Sequence, residues 1–218
     1  MVGYQTVTNG IYGFNFVAPT FITVGDTETS IQDIRLSISE DVITGADELQ
    51  ILDEGGATLD IYAWYPASWS GLDKDGWINS NTELANVKIQ PGKSVLINLQ
   101  QDDTPIVVAG QVELGKREIN GVFGFNFIGN NTPLPMNVQD IKVDVDPDSA
   151  TGADELQILD EGGATKAIYA WYPASWSGHE KDGWIDAEGA LLDFDIAPGM
   201  GVMVNLQQDS KITIGAAE

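Results

Sequence analysis

Acidic side chains that could hold a cation occur twice in the chain, in the same order. The segment GADELQILDEGG contains Asp47, Glu48 and Asp53, and all of it returns 107 positions later. Carboxylate oxygens are the ligands that Ca²⁺ prefers, although the spacing here is not that of an EF-hand loop. The sequence requires no cofactor and leaves calcium as the candidate cation. The candidate ligands are Asp47, Glu48, Asp53, Asp154, Glu155 and Asp160.

An aromatic stretch is also present twice without a change. The letters IYAWYPASWSG stand at 61–71 and again at 168–178, and all six tryptophans of the chain lie in or near these stretches. Three interpretations are open: aromatic residues that cap the end of a β-domain, anchors of a subunit interface, or a platform that stacks on sugar rings. The candidate binding or interface residues are Tyr65, Trp69, Trp77, Tyr172, Trp176 and Trp184.

The residues that most enzymes need are missing or unpaired. The one histidine, His179, has Leu72 at the matching position of the other copy, and the chain has no cysteine. A Ser/His/Asp triad in each copy, a thiol nucleophile and a multi-histidine metal site are therefore excluded. Neither a G-x-x-x-x-G-K-[ST] nor a G-x-G-x-x-G phosphate loop occurs. The sequence predicts that the protein is not an enzyme.

The charge of the chain is strongly negative. There are 33 acidic and 10 basic residues, which gives a net charge of −23. Nucleic-acid binding relies on Lys and Arg to neutralise phosphates, so this class of partner is not expected. No membrane-inserted segment is expected, because no long apolar run occurs. The start MVGYQTVTNG lacks the basic-then-apolar pattern of a signal peptide, which fits either a chain that is not exported by that route or one from which the signal peptide has been removed.

The acidic and aromatic stretches belong to one long internal repeat. Between 44–79 and 151–186 the two copies differ at only five of 36 positions, and further matches extend in both directions. NGIYGFNF at 9–16 meets NGVFGFNF at 120–127, and PGKSVLINLQQD at 91–102 meets PGMGVMVNLQQD at 198–209. The sequence therefore predicts two homologous domains, 1–113 and 114–218, which we expect to abut closely.

Strand patterns dominate each copy. IRLSI places Ile34, Leu36 and Ile38 on one face, and IKVDV does the same in the second copy. ELQILDEGGATLDIYAWY reads as strand, turn and strand, which would put Asp47 and Asp53 at opposite strand ends. No long segment has the period of a helix. We predict an all-β fold of two homologous tandem β-sandwich or β-barrel domains.

The order of these motifs resembles that of known bacterial repeat modules. NG…GFNF is followed by QDI, then DELQILDEGG, an aromatic loop that ends in DGW, and PG before a strand. This order is similar to that of uncharacterised β-rich tandem repeat modules of bacterial, verrucomicrobial-type surface or secreted proteins. The resemblance implies a non-enzymatic structural or surface role. Those proteins usually carry a signal peptide, and this sequence shows none.

Two functions remain open at this point. The first is a building block of a self-assembling filament, tube, surface layer or virion shell, in which the duplicated domains make equivalent contacts twice. Its partner would be the chain itself as a homo-oligomer, at an extracellular surface or in a virion, and a ring of three chains could mimic a ring of six. The second is a carbohydrate-binding or adhesive module, with glycan partners at Trp69, Trp77, Trp176 and Trp184.

Overall fold

The structure is a computed structural model that describes residues 2–38, 47–53, 56–112, 115–145, 154–159 and 164–215. Strands dominate these residues, so the all-β prediction is confirmed. The helices among the described residues are two single turns of four residues each and short 3-10 turns at 31–33 and 138–140. Asp160 and Glu54 lie outside the described residues.

The first half of the chain forms three antiparallel sheets. Its five-stranded sheet has the order β2-β9-β5-β6-β7, its three-stranded sheet the order β1-β10-β4, and β3 pairs with β8. The elements are β1 (Val2–Gly10), β2 (Gly13–Val17), β3 (Thr29–Ser30), β4 (Ile34–Leu36), β5 (Glu48–Leu52), β6 (Thr58–Tyr65), α1 (Ala67–Ser70), β7 (Gly76–Ile78), β8 (Lys88–Ile89), β9 (Val95–Leu99) and β10 (Thr104–Gln111).

The second half repeats this arrangement strand for strand. Its sheets have the orders β12-β19-β15-β16-β17, β11-β20-β14 and β13-β18. The elements are β11 (Arg117–Gly121), β12 (Gly124–Gly129), β13 (Met136–Asn137), β14 (Ile141–Val143), β15 (Glu155–Leu159), β16 (Thr165–Tyr172), α2 (Ala174–Ser177), β17 (Gly183–Ile185), β18 (Asp195–Ile196), β19 (Gly201–Leu206) and β20 (Ser210–Ile214).

The core of each half lies between the five-stranded and the three-stranded sheet. In the first half, Leu49 and Ile97 of the larger sheet share one buried cluster with Ile34 and Ile106 of the smaller sheet. In the second half, the cluster contains Leu156, Val204, Ile141 and Ile212. Because alternate residues of a strand point to opposite faces, the apolar alternation of the sequence delivers these side chains to a single layer.

A buried tryptophan connects the two sheets of each half. The indole Nε1 of Trp77 donates to the carbonyl oxygen of Ile34 at 2.6 Å, and that of Trp184 donates to Ile141 at 2.7 Å. Trp77 also packs edge-to-face on Trp64, with 5.1 Å between ring centroids. The ring fills the core while its one polar atom is satisfied by a strand of the opposite sheet.

The glutamine of the QDI motif fixes the strand that carries this tryptophan. The Gln32 amide nitrogen donates to the carbonyls of Trp77 and Ala85 at 2.7 and 3.0 Å, and its oxygen accepts from the Trp77 backbone N–H at 3.2 Å. Gln139 makes the same three bonds in the second half. Each QDI motif therefore links a 3-10 turn to the short strand β7 or β17.

The two halves meet through reciprocal contacts. Val17 of the first half bridges to Met200, and their equivalents Ile128 and Lys93 form the matching bridge. The Ala18 N–H donates to the Gly199 carbonyl at 2.8 Å, while Gly129 donates to Gly92 at 3.1 Å. Each of these contacts thus occurs a second time with the roles of the halves exchanged.

One side chain at this junction contacts its own equivalent. Phe16 and Phe127 occupy matching positions of the repeat, and their rings stack with centroids 5.6 Å apart. Contact between equivalent residues, together with the exchanged pairs around it, is the mark of an isologous, twofold arrangement. A side chain at Gly201 would lie 2.9 Å from the Phe16 Cβ, so a glycine is needed for the halves to approach this closely.

Replacing the buried tryptophan tests its role as a link between the sheets. We expect Trp184→Phe to lower the free energy of unfolding by about 2–4 kcal/mol, because the Ile141 carbonyl loses its donor and the smaller ring leaves a void. Urea unfolding followed by circular dichroism measures this change. The matched control is Trp176→Phe at an exposed site, where a change within about 0.5 kcal/mol is expected. Equal losses in both variants would contradict the assignment.

Candidate functional site

The second half of each aromatic stretch forms a one-turn helix rather than an open loop. Pro66 precedes α1, the Ala67 N–H donates to the Asp75 carboxylate at 2.8 Å, and Gly71 ends the turn with a φ of 70°. The second copy is built in the same way, with Asp182 accepting from Ala174 at 2.7 Å. Since only glycine adopts a positive φ without strain, PASWSG is suited to a single turn that stops abruptly.

This turn carries Trp69 and Trp176 outward. Their side chains are 53% and 50% exposed, which is unusual for the largest apolar side chain. Neither tryptophan belongs to the core cluster of its half. Of the three sequence interpretations, the capping role therefore does not apply to these two residues, and they remain candidate binding residues.

The structure corrects the prediction for Trp77 and Trp184. Both side chains are 0% exposed, and their indole nitrogens are bonded to the opposite sheet. A side chain that is enclosed in the core of its own half cannot stack on a glycan or anchor a second subunit. These two tryptophans hold the fold together and are not surface residues.

Tyr65 and Tyr172 lie on the other face of the same strand. Along β6, Tyr62 and Trp64 point into the core, so Ile61 and Tyr65 lie on the outer face of the five-stranded sheet. Ile61 is 51% exposed and its equivalent Ile168 is 54% exposed, while both tyrosines are partly buried. The sequence analysis missed both isoleucines, although the alternation of IYAWY could have placed them outside.

One set of three outward-facing apolar residues therefore recurs at equivalent positions in the two halves. We call it the apolar set: Ile61, Tyr65 and Trp69 in the first half, and Ile168, Tyr172 and Trp176 in the second. In the second half, Ile168 and Tyr172 line a shallow groove of 330 Å³ together with Ile185 and Asp186. Apolar and aromatic side chains of this kind are enriched at the centres of protein interfaces.

The candidate calcium ligands Asp47 and Asp154 hold the backbone of their own half. Asp47 is 2% exposed, and its carboxylate accepts from the Gln100 N–H at 2.9 Å. Asp154 accepts from Gln207 at the same distance. Burial raises the pKa of Asp47, because the charged form loses its hydration, and the Gln100 hydrogen bond offsets part of this rise. These carboxylates act as caps for the chain that follows β9 and β19.

The other acidic candidates lie apart from them. Asp53 follows β5 and accepts from the Ala57 N–H at 2.8 Å in the hairpin turn, whereas Asp47 precedes the strand, as the sequence predicted. Glu48 and Glu155 instead bond the side-chain amides of Gln50 and Gln157 at 3.0 Å. Among the described residues, no three His, Asp or Glu side chains are close enough together to hold a metal ion. Asp160 lies outside the described residues.

Comparison with protein-family models, curated proteins and solved structures finds no match for this chain. Within the described part of the chain, no helix is long and apolar enough to cross a membrane.

Two substitutions at Asp47 separate the role of its hydrogen bond from the role of its charge. Asp47→Ala leaves the part-buried Gln100 N–H without its acceptor, and we expect it to lower the free energy of unfolding by about 1–3 kcal/mol. Asp47→Asn keeps an acceptor without a buried charge, so it should be at least as stable as the wild type at pH 7. Urea unfolding measures both.

The pH dependence of the same variants has a defined sign. Because the folded-state pKa of Asp47 is raised, the folded protein binds the proton more tightly than the unfolded chain. The wild type should therefore gain stability relative to Asp47→Asn as the pH falls through the raised pKa. If the free energies of unfolding of the wild type and Asp47→Asn differ by a constant amount from neutral to acidic pH, burial does not destabilise the Asp47 carboxylate.

Proposed function

We propose that this protein is a non-enzymatic building block of a homomeric assembly, made of two homologous β-sandwich domains at 1–113 and 114–218. The observation that carries the proposal is the apolar set, which leaves a large, half-exposed tryptophan and an isoleucine in the same place twice. A monomer gains nothing by exposing these side chains, whereas a contact between chains would bury them and exclude water.

The junction between the halves supports a particular kind of assembly. An isologous contact uses the same patch on both partners and is closed, so the patch around Phe16 and Phe127 is no longer available to other chains. The two apolar sets remain, one in each half. A chain with two equivalent contact sites links to two neighbours, which favours a filament or the wall of a tube over a ring of three chains.

The charge of the chain supports regulation of this contact by salt. At a net charge of −23, free chains repel one another at low ionic strength. The screening length falls from about 10 Å at 0.1 M salt to about 3 Å at 1 M, which removes most of this repulsion between exposed charges. An extracellular surface or a virion is the setting that we propose for this contact.

A second candidate function is a carbohydrate-binding or adhesive module. The exposure of Trp69 and Trp176 favours it, because a half-exposed indole offers a face on which a sugar ring can stack. The buried Trp77 and Trp184 no longer contribute to this candidate. A monomer whose tryptophan fluorescence changes with glycan would support it in place of assembly.

The test of assembly disables the apolar set of one half first and then those of both halves. We expect the wild type to form filaments or tubes at high salt, Trp69→Ala to stop at dimers through its intact second half, and the double variant Trp69→Ala/Trp176→Ala to stay monomeric. Truncating a central aromatic anchor costs about 2 kcal/mol or more, which raises the concentration needed for assembly more than about tenfold. Light scattering after size exclusion, with negative-stain imaging, measures this.

The conditions and the control make the result decisive. The measurement is repeated in chelator and in millimolar calcium, and Leu134→Ala removes an exposed apolar side chain outside the apolar set. This control should assemble like the wild type. A monomer of 23.4 kDa under every condition would rule out self-assembly as the main function.

A further inference from the structure

The basic residues of this acidic chain are concentrated in two depressions. The chain has only ten Lys and Arg residues. Six of them line two depressions, one of 650 Å³ in the second half and one of 340 Å³ in the first. They are Lys116, Lys142, Lys181 and Lys211 in the larger depression, and Arg35 and Lys74 in the smaller one.

Both depressions lie at the same place in the fold. Each is bounded by the outer edge of β4 or β14, by the start of α1 or α2, and by the turn that leads into β7 or β17. Lys142 takes the position of Arg35 and Lys181 that of Lys74, while Trp171 takes the position of Trp64. The shared scaffold therefore builds a recess in each half, and the residues around it decide what it can hold.

The walls of the larger depression are held by hydrogen bonds within the protein. The Asp182 carboxylate fixes the turn to the Ala174 N–H at 2.7 Å. The amide of Gln139, on another wall, makes three hydrogen bonds. A recess with fixed walls loses little conformational entropy when a ligand enters it.

The second half adds polar groups that the first half lacks. On the outer face of the three-stranded sheet, Thr213 pairs with Lys142 where Val107 pairs with Arg35. Glu118 pairs with Thr213 where Thr6 pairs with Val107. Together with Lys116 and Lys211, these changes make a partly apolar sheet surface polar. The depression of the second half is also larger than that of the first half. The larger depression is thus a specialised version of the shared recess.

Charges of both signs line the larger depression, with four lysines and five carboxylates. Lys211 is paired with Glu118 at 3.2 Å, and Asp182 is used by the backbone of α2. Within the described part of the chain, three lining lysines form no ion pair and three lining carboxylates form no side-chain hydrogen bond. They are Lys116, Lys142, Lys181, Asp140, Asp144 and Glu180.

The presence of both signs of charge selects the chemistry of the ligand. An anion would meet three free carboxylates and the field of a chain with a net charge of −23, and a cation would meet three free ammonium groups. A hydroxyl group can donate to a carboxylate and accept from an ammonium group at the same time, and both are charge-assisted hydrogen bonds. A neutral ligand with many hydroxyl groups satisfies the whole array.

We propose that the larger depression is a binding site for a neutral saccharide. Its volume lies within the range of about 300–1,000 Å³ that is usual for small-ligand sites. The proposal is independent of assembly, because the lining contains no member of the apolar set. It also differs from the stacking of sugars on Trp69 and Trp176.

The experiment begins with a glycan array that carries neutral and acidic glycans, probed with the full chain at low salt, where charge repulsion opposes the proposed assembly. The strongest neutral oligosaccharide is then titrated calorimetrically against variants. We expect Lys142→Ala and Lys181→Ala each to weaken binding about tenfold, the effect of losing a charge-assisted hydrogen bond. Both side chains are exposed, so the fold is retained, as circular dichroism checks.

Three controls give the expected result its meaning. Lys166→Ala removes the same charge from an exposed strand position outside the depression, and Leu134→Ala removes an exposed apolar side chain that belongs to neither site. Both should bind like the wild type. Raising the salt from about 0.1 M to about 1 M, at a protein concentration below that at which filaments form, should leave the affinity of a neutral ligand nearly unchanged.

Four outcomes would overturn the proposal. The first is an array without a neutral ligand, and the second is preferential binding of acidic glycans or inorganic phosphate that weakens with salt. The third is a loss of binding in Trp176→Ala with no effect of Lys142→Ala. The fourth is that Arg35→Ala weakens saccharide binding as much as Lys142→Ala does, which would show that the site does not belong to the larger depression of the second half alone.

Discussion

The hydrogen bond from a buried indole to a strand of the opposite sheet is the constraint on which each half depends. Trp77 and Trp184 are fully enclosed, and an enclosed donor must find an acceptor. The carbonyl oxygens of Ile34 and Ile141 provide it, and this fixes the spacing and the register of the two sheets. The glutamine of each QDI motif then holds the strand that carries the tryptophan. The outward position of Ile61 and Tyr65 on the adjacent strand β6 follows from this arrangement, because a strand with one face in the core presents its other face to solvent.

Much of the fold could be predicted from the sequence, because it follows from local alternation. Ile34 and Leu36 lie on one buried face, Asp47 and Asp53 lie at opposite ends of one strand, and the all-β class is confirmed. The position of Trp77 could not be predicted, since it follows a polar turn and its partner lies 43 residues away. Asp47 was considered as a metal ligand for the same reason, because the Gln100 N–H that it caps is distant in sequence.

Contacts between the halves are a further feature that local patterns do not contain. Nothing in NGIYGFNF distinguishes a phenylalanine that packs within one half from Phe16, which stacks on its own equivalent. The same holds for the larger depression, whose lysines come from β14, β20 and two turns. Only the fold brings them together. The two halves are most alike where the tryptophan, the glutamine and the buried aspartate act, and they diverge on the outer face of the three-stranded sheet, where none of these constraints applies.

The stacking of Phe16 on Phe127 has a consequence for the origin and stability of the chain. A residue that meets its own equivalent is what a dimer of single repeats would contain, and fusion of the two copies converts that dimer into one molecule. The halves carry charges of −12 and −11, so as separate molecules they would repel each other. A covalent connection of five residues between β10 and β11 holds them at an effective concentration of order millimolar or higher, whatever the dilution. Association within the chain is therefore insensitive to protein concentration, and each side of the junction is free to change separately, as Val17 and Ile128 have done.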